Sequence, residues 1–171
     1  MPVRFPCAAG KAGEDLDAFI DKVVGPGRFR VEDDFGNGFV RLRVSEAERR
    51  QAKQDIRCVE DAVVEMLRNA RDAHAKTIFL AMSRSGDRRT IAVIDDGDGI
   101  PSEMQDAVFE PRVTSKLDSF SEDEWGVHGR GMALYSIREN AEEARVCASL
   151  PGKGSALRVS FLVSAVKERK D

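Results

Sequence analysis

Four short stretches of this chain bring together residue types that chemistry can use. The first is Ile94-Asp95-Asp96-Gly97-Asp98-Gly99-Ile100, an acidic turn directly after the β-branched run Thr90-Ile91-Ala92-Val93-Ile94. A carboxylate at the mouth of a buried strand loses water on one side and must find hydrogen-bond donors there. The exocyclic amine of a purine is one such donor. Glycines at 97 and 99 remove Cβ atoms beside the carboxylate, so a flat ring has room against the backbone. A strand-ending turn or a solvated acidic loop accounts for the same residues.

The second stretch is a helix flank. Glu65, Asn69 and Asp72 recur at i, i+4 and i+7 and so share one side of a helix. An amide oxygen at Asn69 suits Mg²⁺ held against phosphate, and a carboxylate one turn earlier, Glu65, suits proton abstraction from an attacking water; a solvated flank is the other reading. The third is Gly126-Val127-His128-Gly129-Arg130-Gly131-Met132, where glycines run into a helix start. Unhindered N–H groups at the positive end of a helix dipole suit phosphate oxygens. The pattern is neither the P-loop nor the dinucleotide fingerprint, and lid flexibility explains the glycines equally well. The last stretch, Gly152-Lys153-Gly154-Ser155, is a hairpin turn or a ligand contact.

Elements must hold these stretches in place. Apolar residues at 16, 19, 20, 23 and 24 mark a short amphipathic helix ended by Gly25-Pro26-Gly27. Residues 29–31 and 39–44 read as strands around a turn at 33–38. Ser45 and Glu48 form a capping box, and a helical pattern runs from there to about Ala75, burying Val59, Val63, Met66, Ala70 and Ala73, with Arg57, Asp61 and Arg68 opposite. Strands at 77–82 and 90–94 flank Ser85-Gly86-Asp87; a short helix spans 101–109; a helix opens after Gly131 and ends near Asn140; strands at 145–150 and 156–163 close the chain. Residues 110–129 lack periodicity and read as a functional lid. Residues 167–171 read as a frayed tail.

The chain has 171 residues, enough to bury a core without metals or disulfides. Hydrophobic residues at 42% and charged residues at 33% suit a soluble α/β domain, and 27 basic against 30 acidic residues give no field that favours nucleic acid. Cys7, Cys58 and Cys147 are widely spaced and odd in number, which points to reduced thiols. With no long apolar segment and no targeting signal, the expected location is cytoplasmic, away from membranes.

Glu65 to Ala73, Asp95-x-Gly97-x-Gly99, Gly129-x-Gly131 and Gly154-Ser155 resemble, in order and spacing, the N, G1, G2 and G3 boxes of the GHKL ATPases. That superfamily comprises gyrase B subunits, the ninety-kilodalton heat-shock chaperone, histidine-kinase catalytic domains and MutL. Phe109-Glu110-Pro111-Arg112-Val113-Thr114-Ser115-Lys116 is similar to the Phe-Glu-Pro-Phe-x-Thr-Thr-Lys run of sensor histidine kinases, and Gly131-Met132-Ala133-Leu134-Tyr135-Ser136-Ile137 to their Gly-Leu-Gly-Leu-Ser-Ile stretch. The resemblance implies a histidine-kinase-like ATP-binding domain over 28–163, with 1–27 as an N-terminal extension and 164–171 as a charged tail. It implies the Bergerat fold, an α/β (two-layer α+β) sandwich whose mixed sheet carries helices on one face, with ATP between the helices and a lid.

By the same resemblance, Asp95 accepts from the adenine amine, with Gly97, Gly99 and Ser155 beside it, and Asn69 holds Mg²⁺. Gly129, Gly131 and the N–H of Met132 face the phosphates; Lys116 and Arg130 are further phosphate contacts or solvated lid charges. Glu65 stands where hydrolysing members and anti-sigma serine kinases carry Glu and histidine kinases usually carry Asn. Hydrolysing members take a phosphate-contacting lysine from a second domain, which is not expected after Val163, so hydrolysis alone would be slow. Neither His74 nor His128 has a phosphoacceptor context. The implied function is Mg-ATP binding with slow hydrolysis or γ-phosphate transfer to a partner protein that supplies the acceptor or the missing lysine. The alternatives are an anti-sigma-type serine kinase and a non-catalytic nucleotide sensor. Residues 14–44 could cap a sheet edge or form a homodimer surface.

Overall fold

Ser45 starts the helical layer for a local reason. Its hydroxyl accepts the backbone N–H of Glu48 at 3.3 Å while the Glu48 carboxylate accepts the N–H of Ser45 at 2.9 Å, so two N–H groups at the helix start are satisfied reciprocally. The computed structural model of the chain describes residues 31–115, 122–123, 126–127 and 131–169. They fall into two units, one of 44–113 with 130–171 and one of 1–43 with 114–129.

In the larger unit, α1 (Glu46–Asp55) and α2 (Val59–Asp72) replace the single helix that periodicity predicts. Between them Ile56 and Cys58 are extended. The apolar spacing does not register the break, because Ala52, Ile56, Val59, Ala62, Met66 and Ala70 keep steps of three and four and all are buried. At the break the carbonyl of Lys167, a tertiary partner, accepts the N–H of Val59 at 3.1 Å, and locally the Asp61 carboxylate accepts the N–H of Arg57 at 3.0 Å. Ala62 is in the core, while Val63 and Ala73 are only half-buried. After the acidic turn the predicted helix at 101–109 is instead two single 3₁₀ turns, Ser102–Met104 and Ala107–Phe109, which point Met104, Val108 and Phe109 inward. Helix α3 (Ala133–Asn140) packs beside α1, with Lys53 Nζ 3.1 Å from Glu139.

The helices cover one face of a four-stranded sheet. Its strands are β3 (Ile78–Ser85), β4 (Arg88–Asp95), β8 (Glu143–Leu150) and β9 (Gly154–Leu162), in the order β3-β4-β9-β8 and antiparallel throughout. Ile91, Val93, Leu157, Val159 and Phe161 alternate inward and are buried against the helical layer. The opposite face carries Phe79, Ile94, Ala81, Ala92, Ala148 and Ala156. This two-layer α/β sandwich is the expected fold class.

Residues 167–169 are held where fraying is predicted, and 170–171 lie outside the described residues. Val166 is buried, Glu168 pairs with Arg84 and Arg89, and the N–H of Arg169 donates to Glu60 at 3.0 Å. Charged residues are indistinguishable in sequence from solvated ones until their partners, about 80 to 110 residues away, are known.

In the smaller unit, β1 (Val31–Gly36) and β2 (Phe39–Leu42) form a hairpin with Arg41 2.7 Å from Asp33 and stacked over Phe35. The turn is tighter than predicted, since Gly36, Asn37 and Gly38 all adopt positive φ. Within the predicted lid, β6 (Glu122–Asp123) pairs with β7 (Gly126–Val127), and β5 (Val113–Thr114) precedes them. The amphipathic stretch at 14–24 and residues 116–121, 124–125 and 128–129 of the predicted lid lie outside the described residues. Among the described residues no helix is long and apolar enough to cross a membrane.

Ser45→Ala removes half of the capping box and is expected to lower the unfolding free energy by ~1 kcal/mol. A urea midpoint that falls at constant slope is the expected reading; an unmoved midpoint shows that the cap is dispensable.

Candidate nucleotide-binding site

Asp95 is the last residue of β4, opposite Ser155 on β9 and Ile78 on β3. It is buried, at 7% exposure, and both carboxylate oxygens are engaged. Ser155 Oγ donates to Oδ2 at 2.6 Å, and the N–H of Gly97 donates to Oδ1 at 2.9 Å. A carboxylate offers roughly four lone-pair sites, so two fixed donors orient it and leave room to accept another.

The loop after Asp95 is fastened on two sides. On the helix side, the Asp98 N–H donates to the Ala73 carbonyl at 2.8 Å, and a Cβ on Gly97 would strike that same carbonyl. The Asp96 carboxylate accepts the N–H groups of Thr77 at 2.8 Å and Lys76 at 2.7 Å. These two bonds, Thr77's foremost, hold the Asp96 carboxyl below the usual carboxylate range. His74, left-handed at φ 59°, places Nδ1 2.8 Å from Asp98.

On the hairpin side, the Gly152 N–H donates to the Asp98 carbonyl at 2.6 Å. Ser149 Oγ accepts the Ile100 N–H at 2.6 Å and donates to the Gly154 carbonyl at 3.0 Å. Gly99 and Gly154 have φ of 73° and 96°, and a Cβ on either would run into backbone, that of Leu150 or of Asp95. The acidic turn and the β8–β9 turn are therefore one built corner, and the Gly152–Ser155 stretch is a hairpin turn whose backbone is part of it.

Asn69 and Glu65 lie one turn apart on α2, as the spacing predicts. The Asn69 amide nitrogen is buried and has no hydrogen-bond partner among the described residues, a state that burial penalises. Glu65 is paired with Arg68 at 2.7 Å, a partner three residues on that the helix-flank reading did not consider. Gly131, at φ 64°, carries no Cβ where Arg112 and Val113 backbone approach it, and its carbonyl accepts the Arg112 N–H at 2.9 Å. Met132 then leads into α3, whose first turn has no side-chain cap. Lys116, His128, Gly129 and Arg130 lie outside the described residues.

Two contributors escaped the sequence reading. Ser149 sits directly across from Ser155, a placement that counting outward from the β8–β9 turn would have found. Arg112 is buried with positive φ and pairs with Glu48, and no local pattern marks it.

Residues 54–165 match the model of the family described as histidine kinase-, DNA gyrase B-, and HSP90-like ATPase. The chain belongs to this family. The DNA mismatch repair protein MutL of Thermus thermophilus is 42% identical over 86 residues, which is 48% of this chain and 15% of that protein. MutL of Staphylococcus aureus (strain Newman) is 36% identical over 104 residues, 59% of this chain and 15% of the relative. The chain thus spans under a fifth of the length of the curated relatives it matches. A mycobacterial sensor histidine kinase, MprB, superimposes with a TM-score of 0.39 and 16% identity, covering 72% of this chain and 74% of that one.

Members of the family generally bind ATP, and the corner fits such a ligand. Asp95 has spare acceptor capacity, and the buried Asn69 amide nitrogen has no partner among the described residues.

Because Asp96 has a depressed carboxyl pKa in the fold, its contribution to stability is present above its ordinary value near about 3.9. It is lost as pH falls through the folded-state value. Asp96→Asn is expected to be less stable than wild type at neutral pH, with the difference closing on acidification. Urea unfolding at a series of pH values measures it, and a pH-independent difference would reject the anchor.

Proposed function

We propose that this domain binds Mg-ATP at the Asp95 corner and cleaves or transfers its γ-phosphate slowly, in concert with a partner protein. The observation that carries the reading is the buried Asp95 carboxylate, oriented by Ser155 and Gly97 with acceptor capacity to spare. In this reading Asp95 accepts the adenine amine, and Gly97 and Gly99 admit the ring. The Asn69 side-chain oxygen holds Mg²⁺, which when bound neutralises phosphate charge. Gly129, Gly131 and the Met132 N–H face the phosphates, and Lys116 and Arg130 add charge there.

Glu65 takes the proton from the attacking water, or from the hydroxyl of a partner, as the new bond to the γ-phosphorus forms and the β–γ bridging bond breaks toward ADP. Release of the Arg68 contact is part of this step, since that guanidinium engages a Glu65 carboxylate oxygen. A partner protein supplies the acceptor or a phosphate-contacting lysine. A serine or threonine hydroxyl as acceptor makes the domain an anti-sigma-type kinase.

The same Glu65–Arg68 pair favours a second reading, a nucleotide sensor in which Glu65 stays paired and ATP acts by reshaping a docking surface.

Calorimetric titration with Mg²⁺ and a non-hydrolysable ATP analogue is expected to show binding to wild type and its loss in Asp95→Asn. Retained binding in the variant rejects the adenine assignment. Glu65→Gln is expected to reduce phosphate release by about 10²–10⁴-fold at unchanged affinity. Wild-type turnover in that variant rejects Glu65 as the base; binding with no phosphate release from either protein leaves the sensor.

A further inference from the structure

The β3 strand is built unlike an ordinary sheet edge. Among the described residues it pairs with β4 alone, leaving the other row of its backbone N–H and C=O groups without a strand. Natural edges are blunted by shortness, bulges, proline or charge. β3 runs eight residues in unbroken register with β4, contains no proline, and carries no charge before Arg84. Its large apolar side chains are exposed on both faces: Phe79 at 65% on the open face, Leu80 at 44% and Met82 at 45% on the helix-covered face. The cross-strand neighbours of the last two, Val93 and Ile91, are fully buried, so this exposure belongs to the edge and not to the face.

We propose that the β3 edge is a homodimer interface, in which two copies pair β3 antiparallel about a two-fold axis at Ala81 and join their sheets into one of eight strands. A two-fold axis perpendicular to the sheet keeps each side chain on its own face, so the axis must pass a residue position. At Ala81, Leu80 meets the partner's Met82 and Met82 the partner's Leu80, which clusters four exposed side chains on one face. Phe79 faces the partner's Ser83, with the small Ala81 pair beside its ring.

Charge selects this register from its neighbours. Lys76 falls opposite the partner's Gly86, next to the exposed Asp87 of the partner subunit, and Ile78 falls opposite the partner's Arg84. An axis at Leu80 would set Lys76 directly against the partner's Arg84, a like-charge pair that the Ala81 axis avoids. The second copy therefore satisfies the edge groups, the apolar side chains and the terminal charges together. The pairing makes no use of the Asp95 corner.

Sedimentation velocity of the full chain, far-UV melting and cysteine cross-linking test this. Wild type is expected to reach twice the monomer mass as concentration rises, and the double variant Leu80→Lys with Met82→Lys to stay monomeric with an unchanged melting profile. Residues directly opposed across an antiparallel pair have Cα atoms about 4.5–5.5 Å apart, within disulfide reach. Ala81→Cys is therefore expected to oxidise to a covalent dimer, while Ser85→Cys, displaced from the axis, stays at the level of the unsubstituted chain. Any of three results overturns the proposal. One is a wild type monomeric at all concentrations, which would leave the edge for an extended segment of another protein. The second is a dimer that survives the lysine pair. The last is a dimer that shows no excess cross-linking through Ala81→Cys.

Discussion

A single desolvated carboxylate organises the corner where β4 and the β8–β9 turn meet. Asp95 lies where the sheet ends and the loop begins, and burial there is tolerable only because Ser155 and Gly97 both donate to it. That requirement propagates outward. Ser155 must lie opposite Asp95, which fixes the β4–β9 register, and a one-residue slip of β9 would turn Leu157 and Val159 to the face opposite Ile91 and Val93. The hydrogen bond at the site and the hydrophobic core therefore specify the same pairing.

The glycines follow from that constraint. Gly97, Gly99 and Gly154 stand where backbone from three elements converges, the end of α2, the β8–β9 turn and the acidic loop itself. Any side chain there would push these backbones apart before it met solvent or ligand. The absence of side chains at these three positions is thus a requirement of close backbone packing. Ser149 and Asp96 complete the corner by satisfying N–H groups that the turns leave over.

A second linkage joins the start of the helical layer to the start of the lid. Glu48 caps α1 and also holds Arg112, whose backbone N–H donates to Gly131 just before α3. Burial pushes the Glu48 carboxyl up, but the Ser45 and Arg112 hydrogen bonds outweigh it and hold the pKa below its ordinary value. The residues on either side of residues 116–130 are consequently tied to one another by backbone and to α1 by an ion pair. Displacement at Gly131 is coupled to the capping box through physical contacts of two side chains.

Much of this was written in local sequence. The capping box at Ser45, the strands flanking Gly86-Asp87, the strand-loop placement of Asp95 and the one-turn spacing of Glu65 and Asn69 depend on residues within a few positions of one another. Tertiary structure alone decided the rest. The break between Asp55 and Val59 is invisible to periodicity, because Ile56 and Val59 preserve the helical spacing while Lys167, over a hundred residues away, supplies the capping carbonyl. The anchoring of Glu168 and the burial of Arg112 likewise concern charged side chains whose partners are chosen by proximity in space, and a charge in sequence carries no mark of a distant partner. Local patterns fix which conformations each segment prefers; where backbones converge and which polar groups lose water is settled only when distant segments meet.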